Sequence, residues 1–118
     1  MGSYRDLLAW QKAMELITQI YRVSQKFPPE ELYGMVSQMR RAAVSIPSNI
    51  AEGQGRLTKG EFIQFLGIAR GSLLELETQI LVAQNLRYLD EPTLKNLLDL
   101  TSEVGRLVNG LLSAIKKR

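Results

Sequence analysis

Four apolar series, each stepping by three and four residues and separated by only about three to five residues, leave this chain very few folds. The first runs Leu7, Trp10, Met14, Ile17, Tyr21, and the second Leu32, Met35 or Val36, Met39, Ala43, Ile46, Ile50. The third runs Phe62, Phe65 or Leu66, Ala69, Leu73, Leu76, Ile80, Ala83, and the fourth Leu94, Leu97 or Leu98, Thr101, Val104, Val108, Leu111, Ile115. Each stripe is the one-sided apolar face of an amphipathic helix. No strand pattern competes, because alternation at period two never lasts more than a few residues. Connections this short cannot reach around a bundle, so consecutive helices must be antiparallel neighbours. The expected architecture is all-α: a single-domain, antiparallel up-down-up-down four-helix bundle over residues 1–118, with helices at 7–26, 30–52, 59–86 and 91–116.

Local signals set the expected ends. Asp6 can cap the first helix, and Phe27-Pro28-Pro29 stops it. Glu30 and Glu31 suit the positive pole of the second helix, which Gly53 and Gly55 end. Thr58 with Glu61 reads as a capping box, and Leu57 with Phe62 as a hydrophobic staple across it. Asp90-Glu91-Pro92 opens the fourth helix, whose basic end, Lys116-Lys117-Arg118, suits its negative pole.

The segment from Arg40 to Gly53 reads as helix yet carries Pro47, which removes one amide donor and crowds the carbonyl four residues earlier. Ser45, Ser48 and Asn49 stand beside it as partners for the freed group. A polar stripe of Gln38, Arg41, Ser45, Ser48 or Asn49, and Glu52 shares this helix, and the third helix carries Arg70, Ser72 and Glu75 among Gly60, Gly67 and Gly71. Those glycines weaken a helix, and close backbone approach against Ala42, Ala43 and Ala51 is the expected compensation. The main expectation is a structural polar network of Gln38, Arg41, Ser45, Asn49, Glu52, Arg70 and Glu75, with Arg41 or Arg70 paired to Glu75 or Glu52 and Arg41 mainly structural. The competing reading makes the same cluster a site for a phosphate or an RNA loop.

Composition argues against catalysis. The chain has no Cys and no His, which removes thiol chemistry, the usual imidazole base and the commonest metal ligands. Its carboxylates, lysines, tyrosines and serines form no recognisable catalytic spacing. The expectation is a protein that is not an enzyme, with no cofactor and no metal site. The longest apolar runs fall far short of a membrane span, and Met1-Gly2-Ser3-Tyr4-Arg5-Asp6 lacks a secretory pattern, so no membrane partner and a cytoplasmic location are expected. Fifteen Lys and Arg against twelve Asp and Glu give a net charge of +3. The excess sits in residues 1–27 and 91–118, and helices one and four should bring those segments together. Leu8, Val82, Leu100, Leu107 and Leu112 fall off the narrow stripes and leave room for a self-association surface.

Trp10 and Tyr21 lie on the apolar stripe and are expected in the core. Tyr4, Tyr33 and Tyr88 fall near helix ends, where they could stack on bases or form half-buried caps. The Gly53-Gln54-Gly55-Arg56-Leu57-Thr58-Lys59-Gly60 turn has two cations near a helix N-terminus, an arrangement able to meet phosphate, although it lacks the nucleotide-binding Gly-Lys-Ser or Gly-Lys-Thr ending.

Asp6-Leu7 with Trp10-Gln11-Lys12-Ala13, Gln38 through Gly53, Phe62, Phe65-Leu66, Ala69-Arg70-Gly71-Ser72-Leu73 and Glu75-Leu76-Glu77-Thr78-Gln79 together resemble the small bacterial four-helix-bundle proteins encoded within intervening sequences of 23S ribosomal RNA genes. Ser45-Ile46-Pro47-Ser48-Asn49-Ile50-Ala51-Glu52-Gly53 is the most specific part of the likeness. Related members resemble the accessory variability determinant proteins of diversity-generating retroelements. The resemblance implies a homo-oligomeric ring, a homopentamer, with a basic surface for structured RNA or DNA and, in related systems, a reverse transcriptase as partner. The leading functional expectation is a nonenzymatic homo-oligomeric nucleic-acid-binding adaptor whose contacts are Lys12, Arg22, Arg40, Arg41, Arg56, Lys59, Lys116, Lys117 and Arg118. The alternative is a protein-interaction scaffold with no direct nucleic-acid binding.

Overall fold

A computed structural model describes residues 2–118; Met1, and with it the first residue of the N-terminal run considered above, lies outside the described residues. A 3-10 turn at Tyr4–Asp6 precedes α1 (Leu8–Ser24), and a second at Pro29–Glu31 precedes α2 (Met35–Gln54); α3 (Lys59–Asn85) and α4 (Glu91–Lys116) follow. Packing runs around a square: α1 touches α2 and α4, and α3 touches the same two helices, with α2 against α3 the most extensive contact. The result is an antiparallel four-helix bundle of 46 × 25 × 20 Å.

Leu7 has extended backbone, so α1 begins at Leu8 and Asp6 does not cap it. Ser3 instead caps the preceding 3-10 turn: its Oγ accepts from the Arg5 amide at 3.1 Å while Asp6 Oδ2 accepts from the Ser3 amide at 3.1 Å. The buried face of α1 is Ala9, Ala13, Leu16, Ile20 and Ser24. Each of Ala9, Ala13, Leu16 and Ile20 is one residue earlier than expected, a rotation of about 100°. Trp10 and Ile17 flank this face half-buried, whereas Met14 and Tyr21 are each 39% exposed. Alanine carries little weight in a hydrophobic pattern, but its small side chain lets α1 approach its neighbours.

In α2 the Pro28-Pro29 pair yields only a 3-10 turn, and Gly34 lies outside helical geometry, so the helix starts at Met35 rather than near residue 30. Glu31 reaches forward, its Oε1 accepting from the Met35 amide at 3.4 Å. The helix continues through buried Pro47 to Gln54. Its inner residues include Val36, Met39, Ala43, Ile46 and Ile50, as the periodicity predicts, while Leu32 is exposed before the helix begins.

Thr58 caps α3 through its Oγ1, which accepts from the Glu61 amide at 3.1 Å. The staple is absent, since Leu57 is 98% exposed. Leu66, Ala69, Leu73, Leu76, Ile80 and Ala83 form the buried ridge of α3, and Leu94, Leu97, Thr101, Val104, Val108, Leu112 and Ile115 that of α4. Of the apolar residues off the predicted stripes, Leu112 is thus core, Leu100 and Leu107 pack against it half-buried, and Leu8 and Val82 face solvent.

The glycines of α3 do not make the expected close approach. A Cβ on Gly60, Gly67 or Gly71 would meet nothing within 4 Å, whereas one on Gly53 of α2 would stand 2.7 Å from Phe65 Cβ and 3.1 Å from Phe62 Cδ1. The α2–α3 contact is therefore tight at Gly53, where both helices lie near the turn that joins them.

Candidate nucleic-acid interface

The antiparallel order gathers the start of the chain, the α2–α3 turn and the end of α4 at one end of the bundle. Arg5, Arg56, Lys59, Lys116, Lys117 and Arg118 stand there against Asp6, Glu52 and Glu61, six cations to three carboxylates, so this end carries the whole formal excess of +3. Lys59 Nζ crosses from α3 to donate to the main-chain oxygen of Arg118 at 2.7 Å. Between these elements a cleft of about 420 Å3 is lined by Arg56, Lys59 and Arg118 around Leu7, Leu57 and Phe62, with no Asp or Glu side chain in its wall. Arg56 is the most constrained cation of the group: it pairs with Glu52 at 2.8 Å and Glu61 at 3.9 Å, and its guanidinium lies 4.7 Å from the Phe65 ring centre.

Five of the nine expected nucleic-acid contacts, Arg56, Lys59, Lys116, Lys117 and Arg118, thus meet at one end, and the other four lie elsewhere. Lys12 is engaged on the α1–α4 face by Glu15 at 2.9 Å and Glu103 at 3.3 Å. Hydrogen bonds to those carboxylates, Glu15 foremost, raise its pKa, and they neutralise the charge that a phosphate would need. Arg22 is exposed toward the opposite end, where with Lys26 it lines a cleft of about 460 Å3 between α1 and α4 among Gln19, Gln25 and Asn96. Arg40 is half-buried between α1 and α2, and Arg41 is exposed beside it. Arg5 and Lys26 belong with these cations and were not singled out; isolated charges carry no sequence signal, and only the fold gives them neighbours.

Of the expected polar network only Ser45 and Asn49 are hydrogen-bonded to each other, and Ser72 of α3 joins them. Ser45 Oγ and Ser72 Oγ lie 2.8 Å apart across the α2–α3 contact, and Asn49 Nδ2 donates to the Ser45 carbonyl at 2.8 Å and to its Oγ at 2.9 Å. None of these bonds reaches the Ala43 carbonyl that Pro47 leaves without its donor, so the polar side chains join helices rather than repair the proline. Gln38, Arg41, Glu52, Arg70 and Glu75 are all exposed. Among the described residues no ion pair links Arg41 or Arg70 to Glu75 or Glu52; Glu52 is held by Arg56 instead. Arg41 is exposed and unpaired among the described residues, in correction of the ion pair expected for it, although it still borders the α2–α3 seam, where it lines a cleft of about 450 Å3 with Gln38, Ala42, Ser45, Ser72 and Glu75. Ser72, which completes the contact, was legible only as one polar residue among the α3 glycines.

The aromatics divide similarly. Tyr4 packs edge-on to Trp10 with centroids 5.3 Å apart. Tyr88 lies 5.2 Å from Phe27 and donates to Glu31 Oε2 at 2.8 Å, a hydrogen bond that raises its pKa. Tyr33, by contrast, is 93% exposed.

Among the described residues no group of three or more His, Cys, Asp or Glu could hold a metal ion, and no helix is long and apolar enough to cross a membrane. Fold and surface define a small antiparallel four-helix bundle with one cationic end. Residues 5–110 match the family model described as 23S rRNA-intervening sequence protein, and the chain belongs to that family. Among solved structures it is similar to a protein of unknown function from the S23 ribosomal protein family of Bacteroides thetaiotaomicron VPI-5482, with a TM-score of 0.83 and 20% identity over 90% of this chain and 96% of that chain. At this identity the likeness is one of fold. Comparison with curated proteins gives no match.

Proposed function

We propose that the protein is a nonenzymatic, cytoplasmic, homo-oligomeric adaptor that binds structured nucleic acid through phosphate contacts at its cationic end. The observation that carries this reading is the gathering of Arg5, Arg56, Lys59, Lys116, Lys117 and Arg118 at one end of the bundle, where Arg56, Lys59 and Arg118 line a cleft with no Asp or Glu side chain in its wall. Contacts of this kind position a nucleic acid without reading sequence and weaken steeply with salt. Ring assembly, as a homopentamer, would repeat the cationic end around an axis and multiply a charge that is modest in one copy. Self-association is supported by Ile68, Leu74, Leu81 and Val82, large apolar side chains that α3 leaves exposed alongside the bare backbone of Gly67 and Gly71. A reverse transcriptase is the protein partner that the resemblance of related members to the retroelement accessory proteins suggests.

The test is binding of nucleic-acid-free protein to structured RNA and DNA at low salt, with solution mass measured on the same sample. Binding that disappears on replacing Lys59, Lys116 and Lys117 supports the reading; no binding by an intact assembly refutes it. A protein-interaction scaffold is the second reading, favoured by the same exposed α3 side chains. It predicts a specific protein partner that survives nuclease treatment.

A further inference from the structure

The groove between α1 and α2 holds an arginine fixed by neutral groups alone. The Arg40 guanidinium stacks 4.5 Å from the Tyr21 ring centre, its Nε donates to Ser24 Oγ at 3.0 Å, and Nη2 donates to the Tyr21 carbonyl at 3.3 Å. Among the described residues it has no carboxylate within ion-pairing distance. A cleft of about 490 Å3 opens beside it, walled by Tyr21, Leu32, Tyr33, Arg40, Arg41 and Val44, and its lining contains no acidic side chain. Clefts of roughly 300–1,000 Å3 accept small organic groups. Leu32, Tyr33 and Val44 all remain exposed here, so apolar surface stands in water beside two cations.

We propose that this cleft takes one unpaired base of a single-stranded nucleic acid, stacked against the Arg40–Tyr21 pair and covered by Tyr33, with the adjoining phosphate on Arg41. Charge complementarity selects the occupant: a nucleotide unit combines a flat, weakly polar ring with an anion, matching apolar walls flanked by arginine. Base stacking on aromatic and guanidinium planes is tolerant of sequence and strong enough to localise a strand. Because Arg40 is already held by three neutral partners, little of its side-chain freedom remains to be lost on binding. A base within a duplex cannot enter, since both its faces are occupied by stacking. The inference rests on the nucleic-acid reading above and adds a second locus to it, with Arg40 about 21 Å along α2 from Gln54, the end of the helix next to the cationic end, at 1.5 Å per residue.

The experiment measures affinity of the full chain for an unstructured 20-nucleotide RNA and for its duplex, using wild type, Tyr33→Ala, Arg41→Gln and Lys59→Gln, with solution mass as control. Tyr33 and Arg41 are exposed, so their variants retain the fold. Tyr33→Ala should lose at least about fivefold in single-strand affinity and leave duplex affinity unchanged. Arg41→Gln should weaken the single strand more than the duplex, and Lys59→Gln should weaken both alike. Undiminished single-strand binding by Tyr33→Ala, or equal losses on both probes, overturns the cleft and leaves the cationic end standing. Failure of wild type to bind either probe overturns both readings. A changed solution mass in Tyr33→Ala would make the cleft a contact between copies and overturns the base site alone.

Discussion

Gly53 in α2 faces Phe65 in α3 so closely that a Cβ built on the glycine would stand 2.7 Å from the Phe65 Cβ. The atom in the way is the root of a side chain, so no rotamer change relieves the clash and the two helices must move apart. Gly53→Ala should therefore destabilise the bundle by about 1–3 kcal/mol, the usual cost of overpacking, despite alanine's better helix propensity. Urea unfolding monitored by circular dichroism reads the change; stability equal to or above wild type would refute the close contact.

Ser45 Oγ receives Asn49 Nδ2 and faces Ser72 Oγ, so one hydroxyl serves two partners. Ser72→Ala should cost about 0.5–1.5 kcal/mol, and a cycle with Asn49→Ala should show coupling of about 0.5 kcal/mol or more, because both partners act on the same oxygen. Arg41→Ala, at an exposed position outside that contact, should stay within about 0.5 kcal/mol of wild type. A large loss on Arg41→Ala would restore the ionic network that the sequence suggested.

The helical stripes were legible wherever large apolar residues marked the inner face, as Leu66, Leu73, Leu76 and Ile80 do for α3. They misled where alanines did: Ala9 and Ala13 face the core while bulkier Met14 and Tyr21 do not. Glycine was ambiguous for a related reason. A sequence shows that Gly53, Gly67 and Gly71 lack a side chain, but only packing shows which of them something presses against. The candidate interface depended still more on the fold, since Arg5, Arg56, Lys59 and Arg118 are distant in sequence and become one surface through helix order. The spacing of Arg41 from Ser45 and Gln38 gives a shared stripe, and all three border one α2–α3 cleft, but spacing does not say whether the guanidinium meets a carboxylate there.

Arg87 ends α3 with φ 63°, the left-handed conformation that an L side chain resists. Around it the Arg87 amide donates to the Gln84 carbonyl and the Tyr88 amide to the Ala83 carbonyl, both at 2.9 Å, the paired bonds of a Schellman cap. Arg87→Gly should stabilise the protein by about 0.5–1 kcal/mol, whereas Arg87→Ala, which keeps the Cβ, should give no comparable gain. Thermal melts of the two variants side by side make the comparison; equal effects would mean that the backbone strain is not relieved.

Asp90 caps α4 by accepting from the Thr93 amide at 2.8 Å, and its hydrogen bonding to Thr93 holds its carboxyl below the ordinary value of 3.8. A folded-state pKa below the unfolded one means that this cap contributes fully above the ordinary carboxylate range and is lost as pH falls through the depressed value. Asp90→Asn should flatten the acid limb of the melting temperature against pH below about 4, with little change in shape near neutrality. An unchanged acid limb would mean that Asp90 does not titrate with folding.

Lys116 and Lys117 follow one another at the cationic end and have no ion pair among the described residues, whereas Lys12 is already held by two carboxylates. If the end meets phosphates, each cation in contact releases counterions, and the slope of log affinity against log salt falls by about 0.7–0.9 for each contact removed. Lys116→Gln with Lys117→Gln should therefore lower the slope by up to about 1.4–1.8 and weaken RNA and DNA of different sequence by similar factors. Lys12→Gln should leave the slope unchanged, since its charge is compensated before any ligand arrives. Both cations sit in or just beyond the last turn of α4, where they also complement the helix dipole, so a melt of the double variant separates lost contact from a frayed end. Binding measured across a salt series decides the point: equal slopes for wild type and the double variant would remove the end of α4 from the interface and leave Arg5, Arg56 and Lys59 to account for any binding that persists.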